Sequence, residues 1–379
     1  MTDKELRELK RRFSPEKCNI PRIVGCFINS NKKIVYKINQ GLGLCDTAVS
    51  ERLLGTMKKA LSGSIGTQQN QIEFSTRQVE SGEEHKLLMA LRASGLKDND
   101  ALDRFYERVA GALDMESSYA VLLANDVYDV FTKSSDGEAS DSTQLFSYIV
   151  CAVCPVKDAP ETLTFREADS LFHTSGSASV LCSPEIGFTF PAFDGRATNI
   201  YGALYYTRSR SQSYSSFTEA VFAKPGPMPP VVQKANFSDA LSSSLGDKCT
   251  LEVVRALHAA VGEAVEAHKE SRDPEPLTIT KHTVGEVLTS VGVEPETAEK
   301  FAENMDELFG KGANLTPKNV VSYNKFDLKM PEVKISVSPE HRDLISVREV
   351  NGEKHITIKV TGPVDVNGIA LNIDENTES

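Results

Sequence analysis

Residues 118–125 have the sequence SYAVLLAN, and residues 145–156 have the sequence LFSYIVCAVCPV. Each run has the length and apolar content of a buried strand. The polar segment 133–142, KSSDGEASDS, lies between them and has the composition of a flexible loop. Two apolar strands joined by a polar loop predict an antiparallel pair inside a larger sheet.

The neighbouring segments predict further strands of this sheet and a helix that covers it. Residues 101–113 have apolar side chains at the spacing of one buried helix face. Two further strand pairs are expected, namely residues 20–27 with 34–38, and residues 187–193 with 199–207 across the turn Asp194-Gly195. These elements together predict an α+β fold with a mixed or antiparallel sheet.

The proline-rich segment KPGPMPP at residues 224–230 predicts a boundary, because prolines at this density stop helices and strands alike. A helical segment follows it, and the turn Asn351-Gly352 between two apolar runs then predicts a β-hairpin. We therefore expect three parts: an N-terminal mixed domain at 1–225, an acidic helical segment at 226–312 and a C-terminal β region at 313–379.

The composition is that of an ordinary globular protein of more than one domain, with 379 residues, 40% hydrophobic and 25% charged. No apolar run reaches the length of a transmembrane helix, and the charged start MTDKELRELKRRF differs from a signal peptide. The seven cysteines are scattered and odd in number, which favours reduced thiols. We expect a cytoplasmic protein with no membrane association.

The formal net charge of −11 is distributed unevenly along the chain. From Asp247 to Gly310 there are 14 acidic and 6 basic residues, whereas residues 1–22 have 7 basic and 4 acidic residues. The segment from Arg196 to Lys234 has 5 basic residues and 1 acidic residue. The overall field opposes binding to phosphates, but a local basic surface is compatible with it.

Residues 4–13 have the pattern of a short amphipathic helix. Leu6, Leu9 and Phe13 lie on one side of it, and Lys10 with its neighbours adds positive charge. We interpret this segment as a docking helix whose charged face lies in solvent.

The segment from Arg196 to Lys234 is the candidate nucleic-acid surface, because basic and aromatic residues alternate in it. Basic side chains can neutralise phosphates, and aromatic rings can stack on exposed bases. The alternative interpretation is a strand whose tyrosines pack inward, followed by a Ser- and Arg-rich loop in solvent. The predicted contact residues are Arg196, Arg208, Arg210, Tyr206 and Lys224.

A different class of function is a hydrolase-like enzyme with a site assembled from distant residues. Asp126, Asp129, Asp194 and Arg196 would then meet in a cleft at the ends of the sheet. The alternative role of Asp126 and Asp129, which follow a strand, is in turns. The sequence contains neither GxSxG nor HExxH, so no local motif supports catalysis.

Cys151 and Cys154 form the one CxxC motif, but it lies in a predicted strand. Residues three apart on a strand point to opposite faces, so we expect the two thiols to diverge. Metal and redox sites need the sulfurs to converge. We therefore expect core cysteines, with no metal and no cofactor.

Residues 280–309 have a helix-turn-helix pattern, in which the second helix would enter the major groove. Its exposed face would repel phosphates, since it contains five carboxylates. These are Glu296, Glu299, Glu303, Asp306 and Glu307. The pattern therefore argues against DNA recognition by this helix and favours solvent or a basic protein partner.

Four segments resemble a bacterial family known only as a domain of unknown function, and the likeness covers nearly the whole chain. The segments are RRFSPEKCNIPRIVGCF at 11–27, LKDNDALDRFYERV at 96–109, GFTFPAFDGRATNIYGALYYT at 187–207 and VDVNGIAL at 364–371.

The order of parts is also similar to that of the bacterial nucleoid-associated family related to NdpA and YejK. Residues 101–126 would match its helix and strand unit, 251–270 its acidic helical segment and 347–362 its C-terminal strand pair. This resemblance implies a non-enzymatic homodimer that acts on the nucleoid or on DNA-handling enzymes.

From the residues and the resemblance together, we expect a non-enzymatic, nucleoid-associated or nucleic-acid-machinery binding protein. Its expected partners are DNA or DNA-handling enzymes. Association with RNA or the ribosome through the same basic segment, and the hydrolase-like enzyme, are the alternatives.

Overall fold

The computed structural model describes residues 1–133, 139–159, 161–174, 178–271, 273, 275–366 and 368–371, with no side-chain description at 131–133, 139–144 and 178. The chain forms two compact units. The first is Met1–Val232 with Pro274–Pro276, and the second is Gln233–Asp273 with Leu277–Ser379. The acidic helical segment and the C-terminal β region thus belong largely to one unit.

The first unit is built on an antiparallel sheet with the strand order β2-β1-β4-β5-β9-β12-β3, and β8 pairs with β5. Two small hairpins, β6-β7 and β10-β11, complete its strands. The strands are β1 Arg22–Ile28, β2 Ile34–Gly41, β3 Gln69–Glu73, β4 Tyr119–Lys133, β5 Ala139–Ala159, β6 Leu163–Arg166, β7 Leu171–Thr174, β8 Ala178–Leu181, β9 Ile186–Phe190, β10 Ala192–Asp194, β11 Ala197–Asn199 and β12 Gly202–Thr207.

The antiparallel pair expected from the two apolar runs is confirmed as β4 and β5, which pair from Tyr119 with Pro155 to Phe131 with Thr143 and beyond. The predicted loop at 133–142 is shorter than expected, since β5 begins at Ala139; residues 134–138 lie outside the described residues. The pairs β1-β2 and β9-β12 are confirmed as well. The predicted turn Asp194-Gly195 is wrong by one residue: Asp194 ends β10, and the turn Gly195-Arg196 joins β10 to β11 in a separate hairpin.

Helices cover both faces of the sheet, which explains why its central strands are continuous apolar runs. On one face, Leu6 and Leu9 of α1 and Met57 of α2 form a core with alternate sheet residues. On the other face, the core includes helices α4, α5 and α6. The helices of this unit are α1 Asp3–Arg12, α2 Thr47–Lys59, α3 Thr76–Ser81, α4 Glu83–Ala93, α5 Asn99–Ala112 and α6 Ser215–Phe222.

The described residues of the second unit form a helical core and three two-stranded hairpins. Phe301 and Met305 of α10 are buried in that core with Phe237 of α7. The boundary between the units falls after Val232, within the first turn of α7. The elements are α7 Pro230–Leu245, α8 Leu251–Ser271, α9 Lys281–Ser290, α10 Pro295–Phe309, α11 Pro317–Val320, β13 Phe326–Lys329, β14 Lys334–Val337, β15 Ile345–Val350, β16 Glu353–Ile358, β17 Val364–Val366 and β18 Ile369–Leu371.

The Asn351-Gly352 hairpin is confirmed, and it joins β15 to β16 with φ of 54° and 80° at its two turn residues. Positive φ at both positions is the conformation that Asn-Gly favours in a two-residue loop. Among the described residues, no helix has both the length and the apolar content needed to cross a bilayer.

Candidate functional site

Tyr206 does not lie on the surface where the sequence analysis placed it. It is 5% exposed and packs in the core between the sheet and helices α1 and α2. The physical reason is that β12 is an interior strand with both faces covered, so all six of its residues are buried. Its ring is therefore not positioned to stack on a base, and the inward-packing interpretation describes this strand.

The predicted basic residues are divided among different surroundings. The Arg208 guanidinium lies 3.0 Å from the Glu185 carboxylate, Arg210 is exposed in the loop after β12, and Lys224 is half-buried after α6. None of these three lines the groove in which Arg196 lies. Of the five predicted contact residues, Arg196 is therefore the one that belongs to this groove.

Arg196 is held at the tip of the β10-β11 hairpin against helix α1. Gly195 and Arg196 form a two-residue turn with φ of 56° and 60°, which strand twist favours. The Arg196 backbone N–H donates to Glu5 Oε1 at 2.9 Å, and its Nη1 donates to Glu8 Oε2 at 2.5 Å. Two carboxylates of α1 therefore fix both the backbone and the side chain of this turn.

Helix α1 is well specified by its own sequence. Thr2 and Glu5 form a reciprocal capping box, and basic residues occupy the last turn, where they complement the helix dipole. Leu6 and Leu9 are 1% and 0% exposed, so the predicted docking face is confirmed. The charged face carries Lys4, Arg7, Glu8 and Arg11, which are neighbours at helical spacing.

The charged face of α1 lines a groove of 660 Å³ rather than open solvent alone. Its walls contain six basic side chains, one carboxylate and one tyrosine. The residues are Lys4, Arg7, Glu8, Arg11, Arg12, Lys17, Tyr128 and Arg196. We call this feature the α1 groove. A volume of this size and a local excess of five positive charges suit an anionic ligand.

A buried ion pair anchors Arg12 beside the groove. Its Nε and Nη2 donate to the two Asp126 oxygens at 3.0 and 3.2 Å, and the Tyr148 hydroxyl donates to the same carboxylate at 2.9 Å. Partial burial disfavours the charged guanidinium, but the hydrogen bonds and charge of Asp126 outweigh this, so the pKa of Arg12 is raised. Arg12 also lies 5.1 Å from the centre of the Tyr128 ring.

The residues of the alternative enzyme hypothesis are placed around α1, but most of them have charged partners. Asp126 binds Arg12, Asp194 lies 3.0 Å from the Met1 ammonium, and Arg196 binds Glu8, whereas Asp129 is exposed. The hydrogen bond from that ammonium lowers the pKa of Asp194. A general acid needs a raised carboxyl pKa, so this geometry favours positioning of α1 over proton transfer.

The two CxxC thiols diverge as expected. Cys151 lies in the core with α4 to α6, and Cys154 lies in the core with α1 and α2. Burial raises the pKa of Cys154 to about 12 and that of Cys151 well above its usual value. Both are therefore neutral core thiols at physiological pH. Within the described residues, no cluster of three or more His, Cys, Asp or Glu is arranged to hold a metal.

Most of the α1 groove is not predicted from the sequence. The pattern of residues 4–13 predicts a charged face in solvent and does not connect that face to Tyr128 or Lys17. The helical spacing of Lys4, Arg7 and Arg11 does predict that these three cations share one face of α1. The position of Arg196 opposite this face depends on contacts 188 residues apart.

A family model described as "Domain of unknown function (DUF4317)" matches residues 1–369. This span includes the first compact unit and most of the second, and it confirms the near full-length resemblance drawn from the four sequence segments. No curated protein matches the chain.

Proposed function

The chain belongs to the DUF4317 family, and because a domain of unknown function carries no assigned activity, we propose its function from the α1 groove. The proposal is a non-enzymatic protein that binds the phosphate backbone of nucleic acid in this groove. The observation that carries it is the gathering of six basic side chains around one carboxylate in a chain of net charge −11.

The cations of the groove differ in how far the protein already balances their charge. Asp126 balances Arg12, and Glu8 lies against Arg196. Lys4, Arg7, Arg11 and Lys17 line the groove without a carboxylate ion pair among the described residues, although Arg7 Nε donates to its own helix at Asp3 O. These four side chains are the proposed phosphate ligands.

The arrangement suits a linear ligand without a required base sequence. Lys4 and Arg11 are seven residues apart, which is about 10 Å along a helix and about three nucleotides of a B-form strand. Basic side chains contact phosphates and position the strand but do not read bases. The buried Tyr206 removes the stacking contribution that the sequence predicts for this residue.

The acidic segment from Asp247 to Gly310 lowers the expected affinity for nucleic acid. From Asp247 to Gly310 the net charge is −8, so the long-range field opposes a polyanion. Binding then depends on short-range contacts within the groove and weakens steeply with salt. We propose that the protein acts as a homodimer on the nucleoid or together with DNA-handling enzymes. Because RNA has the same phosphate backbone chemistry, RNA or the ribosome is the alternative partner.

The test is fluorescence anisotropy with labelled single-stranded DNA, duplex DNA and structured RNA at several salt concentrations between 25 and ~200 mM. The variant R7Q/R11Q removes two proposed phosphate ligands. The matched control K33Q/K97Q removes two exposed cations that do not line the groove. We expect R7Q/R11Q to weaken binding and to reduce the slope of log K against log salt by about 1 for each lost contact.

Two results would overturn the proposal. One is equal affinity of the wild type and R7Q/R11Q while K33Q/K97Q also has no effect. The other is binding that does not depend on salt, since phosphate contacts release counterions. Preferential binding to RNA over DNA would keep the phosphate chemistry and assign the alternative partner.

A further inference from the structure

Glu8 is the one acidic residue among the eight that line the α1 groove. Its carboxylate accepts a hydrogen bond from the Tyr128 hydroxyl and one from Arg196 Nη1, the latter at 2.5 Å. Its side chain is 20% exposed and that of Arg196 is 40% exposed. The groove therefore already contains an anion, supplied by the protein itself, against one of its arginines.

A tethered carboxylate competes strongly with a free ligand for the same guanidinium. Because it is part of α1, its effective concentration at Arg196 is at least in the millimolar range. An incoming phosphate that takes Arg196 must displace Glu8 and leave the Tyr128 hydroxyl to find a new acceptor. A phosphate that binds at Lys4, Arg7 or Arg11 can leave the contact between Glu8 and Arg196 in place.

We propose that Glu8 makes the α1 groove selective for extended polyanions over single phosphates. A lone phosphate that binds Arg196 must displace Glu8 and gains few other contacts. A strand of linked phosphates contacts Lys4, Arg7 and Arg11 together, and each further contact then forms within one complex. The inference rests on the proposed function for its ligand class, and it adds the residue that determines selectivity.

The experiment compares three probes on the full chain by isothermal titration calorimetry at low salt. The probes are inorganic phosphate, tripolyphosphate and a ten-residue oligothymidylate. The test variant is E8Q, whose amide oxygen can accept from Arg196 while its NH2 group donates to the Tyr128 hydroxyl oxygen, so both contacts that hold α1 can be kept. The control is E16Q, which changes the net charge equally at an exposed residue outside the groove.

We expect the wild type to bind oligothymidylate far more tightly than inorganic phosphate. In E8Q, affinity for inorganic phosphate rises roughly tenfold and affinity for oligothymidylate rises less, so the ratio between the two probes falls. Tripolyphosphate is expected to change by an intermediate factor. E16Q is expected to behave as the wild type, because an exposed charge outside the groove is screened.

A second variant tests the hydrogen bond from the Tyr128 hydroxyl to Glu8 without changing the formal charge of the groove. Y128F removes one of the two donors to Glu8 and keeps the ring beside Arg12. We expect a smaller rise in phosphate affinity than in E8Q. Unchanged phosphate affinity in both E8Q and Y128F would overturn the role of Glu8.

The outcomes separate this inference from the proposed function. Equal changes in affinity in E8Q and E16Q, or an equal rise in affinity for all three probes in E8Q, would contradict the selectivity role of Glu8. Oligothymidylate binding by the wild type would still support the proposed function. Absence of oligothymidylate binding, together with a gain of phosphate binding in E8Q, would overturn the nucleic-acid function and support Glu8 as the competing anion. Absence of binding by every protein would overturn both.

Discussion

Helices α1 and α10 have the same design in sequence but different surroundings in the fold. Each buries an apolar stripe, Leu6 with Leu9 in α1 and Phe301 with Met305 in α10. Each also carries a charged opposite face, basic in α1 and acidic in α10. The hydrophobic pattern predicts docking equally well for both helices.

The difference lies beside the charged face. Next to α1, the β10-β11 hairpin supplies Arg196 and the second half of β4 supplies Tyr128, and together they line a groove. On α10, the carboxylates of Glu296, Glu299 and Glu303 are exposed, and Asp306 pairs with Lys281. A charged helix face thus becomes a candidate site where a second element lines it, and it is otherwise a solvated surface.

The largest expected effect comes from removing the docking residue of α10. Phe301 is fully buried and lies edge-on to Phe237, with ring centroids 5.9 Å apart. Phe301→Ala is expected to cost about 4 kcal/mol through lost burial and a cavity. Urea unfolding followed by circular dichroism measures the loss, and Leu9→Ala is the matching change in α1.

The comparison predicts that these two changes act on different properties. Leu9→Ala should also weaken oligonucleotide binding, because it loosens the helix that lines the groove. Phe301→Ala should leave binding intact under conditions where the first unit remains folded. Equal loss of binding in both variants would contradict the assignment of the site to α1.

The second prediction concerns the ion pairs at the two helices. Arg12→Leu leaves the Asp126 carboxylate, whose side chain is 1% exposed, without its partner, and the expected cost is about 3 kcal/mol. Lys281→Leu breaks a pair with side chains about a quarter exposed, and the expected cost is at most about 1 kcal/mol. Both values come from urea unfolding curves.

The double variant R12L/D126L checks the cause of the larger loss. Replacing both members of a buried pair by apolar residues often recovers stability, because no uncompensated charge remains. We expect the double variant to be more stable than Arg12→Leu alone. If it is less stable, the lost contacts of the guanidinium with the Tyr128 ring and of the Tyr148 hydroxyl with Asp126 outweigh charge compensation.

The smallest expected effect is the pH dependence of the stability that the Met1–Asp194 ion pair contributes. The hydrogen bond from the Met1 ammonium lowers the folded-state pKa of Asp194 below its usual 3.8. The pair therefore stabilises the fold above about pH 4, and this contribution is lost as the pH falls through the lowered pKa. Since the Asp194 side chain is 49% exposed, the expected size is below about 1 kcal/mol.

Asp194→Asn is expected to remove this part of the acid dependence and to have a smaller effect at pH 3 than at pH 7. Stability is measured by thermal unfolding between pH 3 and 7, with Asp129→Asn as a control at an exposed carboxylate. If both variants show the same acid dependence, the ammonium contact contributes no measurable stability.

The elements that could be predicted from sequence are those determined by local pattern. The two apolar runs predict β4 and β5, the spaced apolar residues predict α5, and Asn351-Gly352 predicts the β15-β16 turn, because each signal lies within one short segment. The diverging thiols of Cys151 and Cys154 follow from strand alternation in the same way.

Tyr206 shows where local reasoning fails. Alternation identifies the two faces of β12, but it does not show that helices cover both of them, so the sequence predicts an exposed Tyr206 where the structure buries it. Composition and the apolar pattern by themselves determine an α+β protein with a basic start and an acidic later segment. Only the tertiary structure decides that Arg196 and Tyr128 meet α1, since ion pairs and hydrogen bonds between distant segments have no periodic signature in sequence.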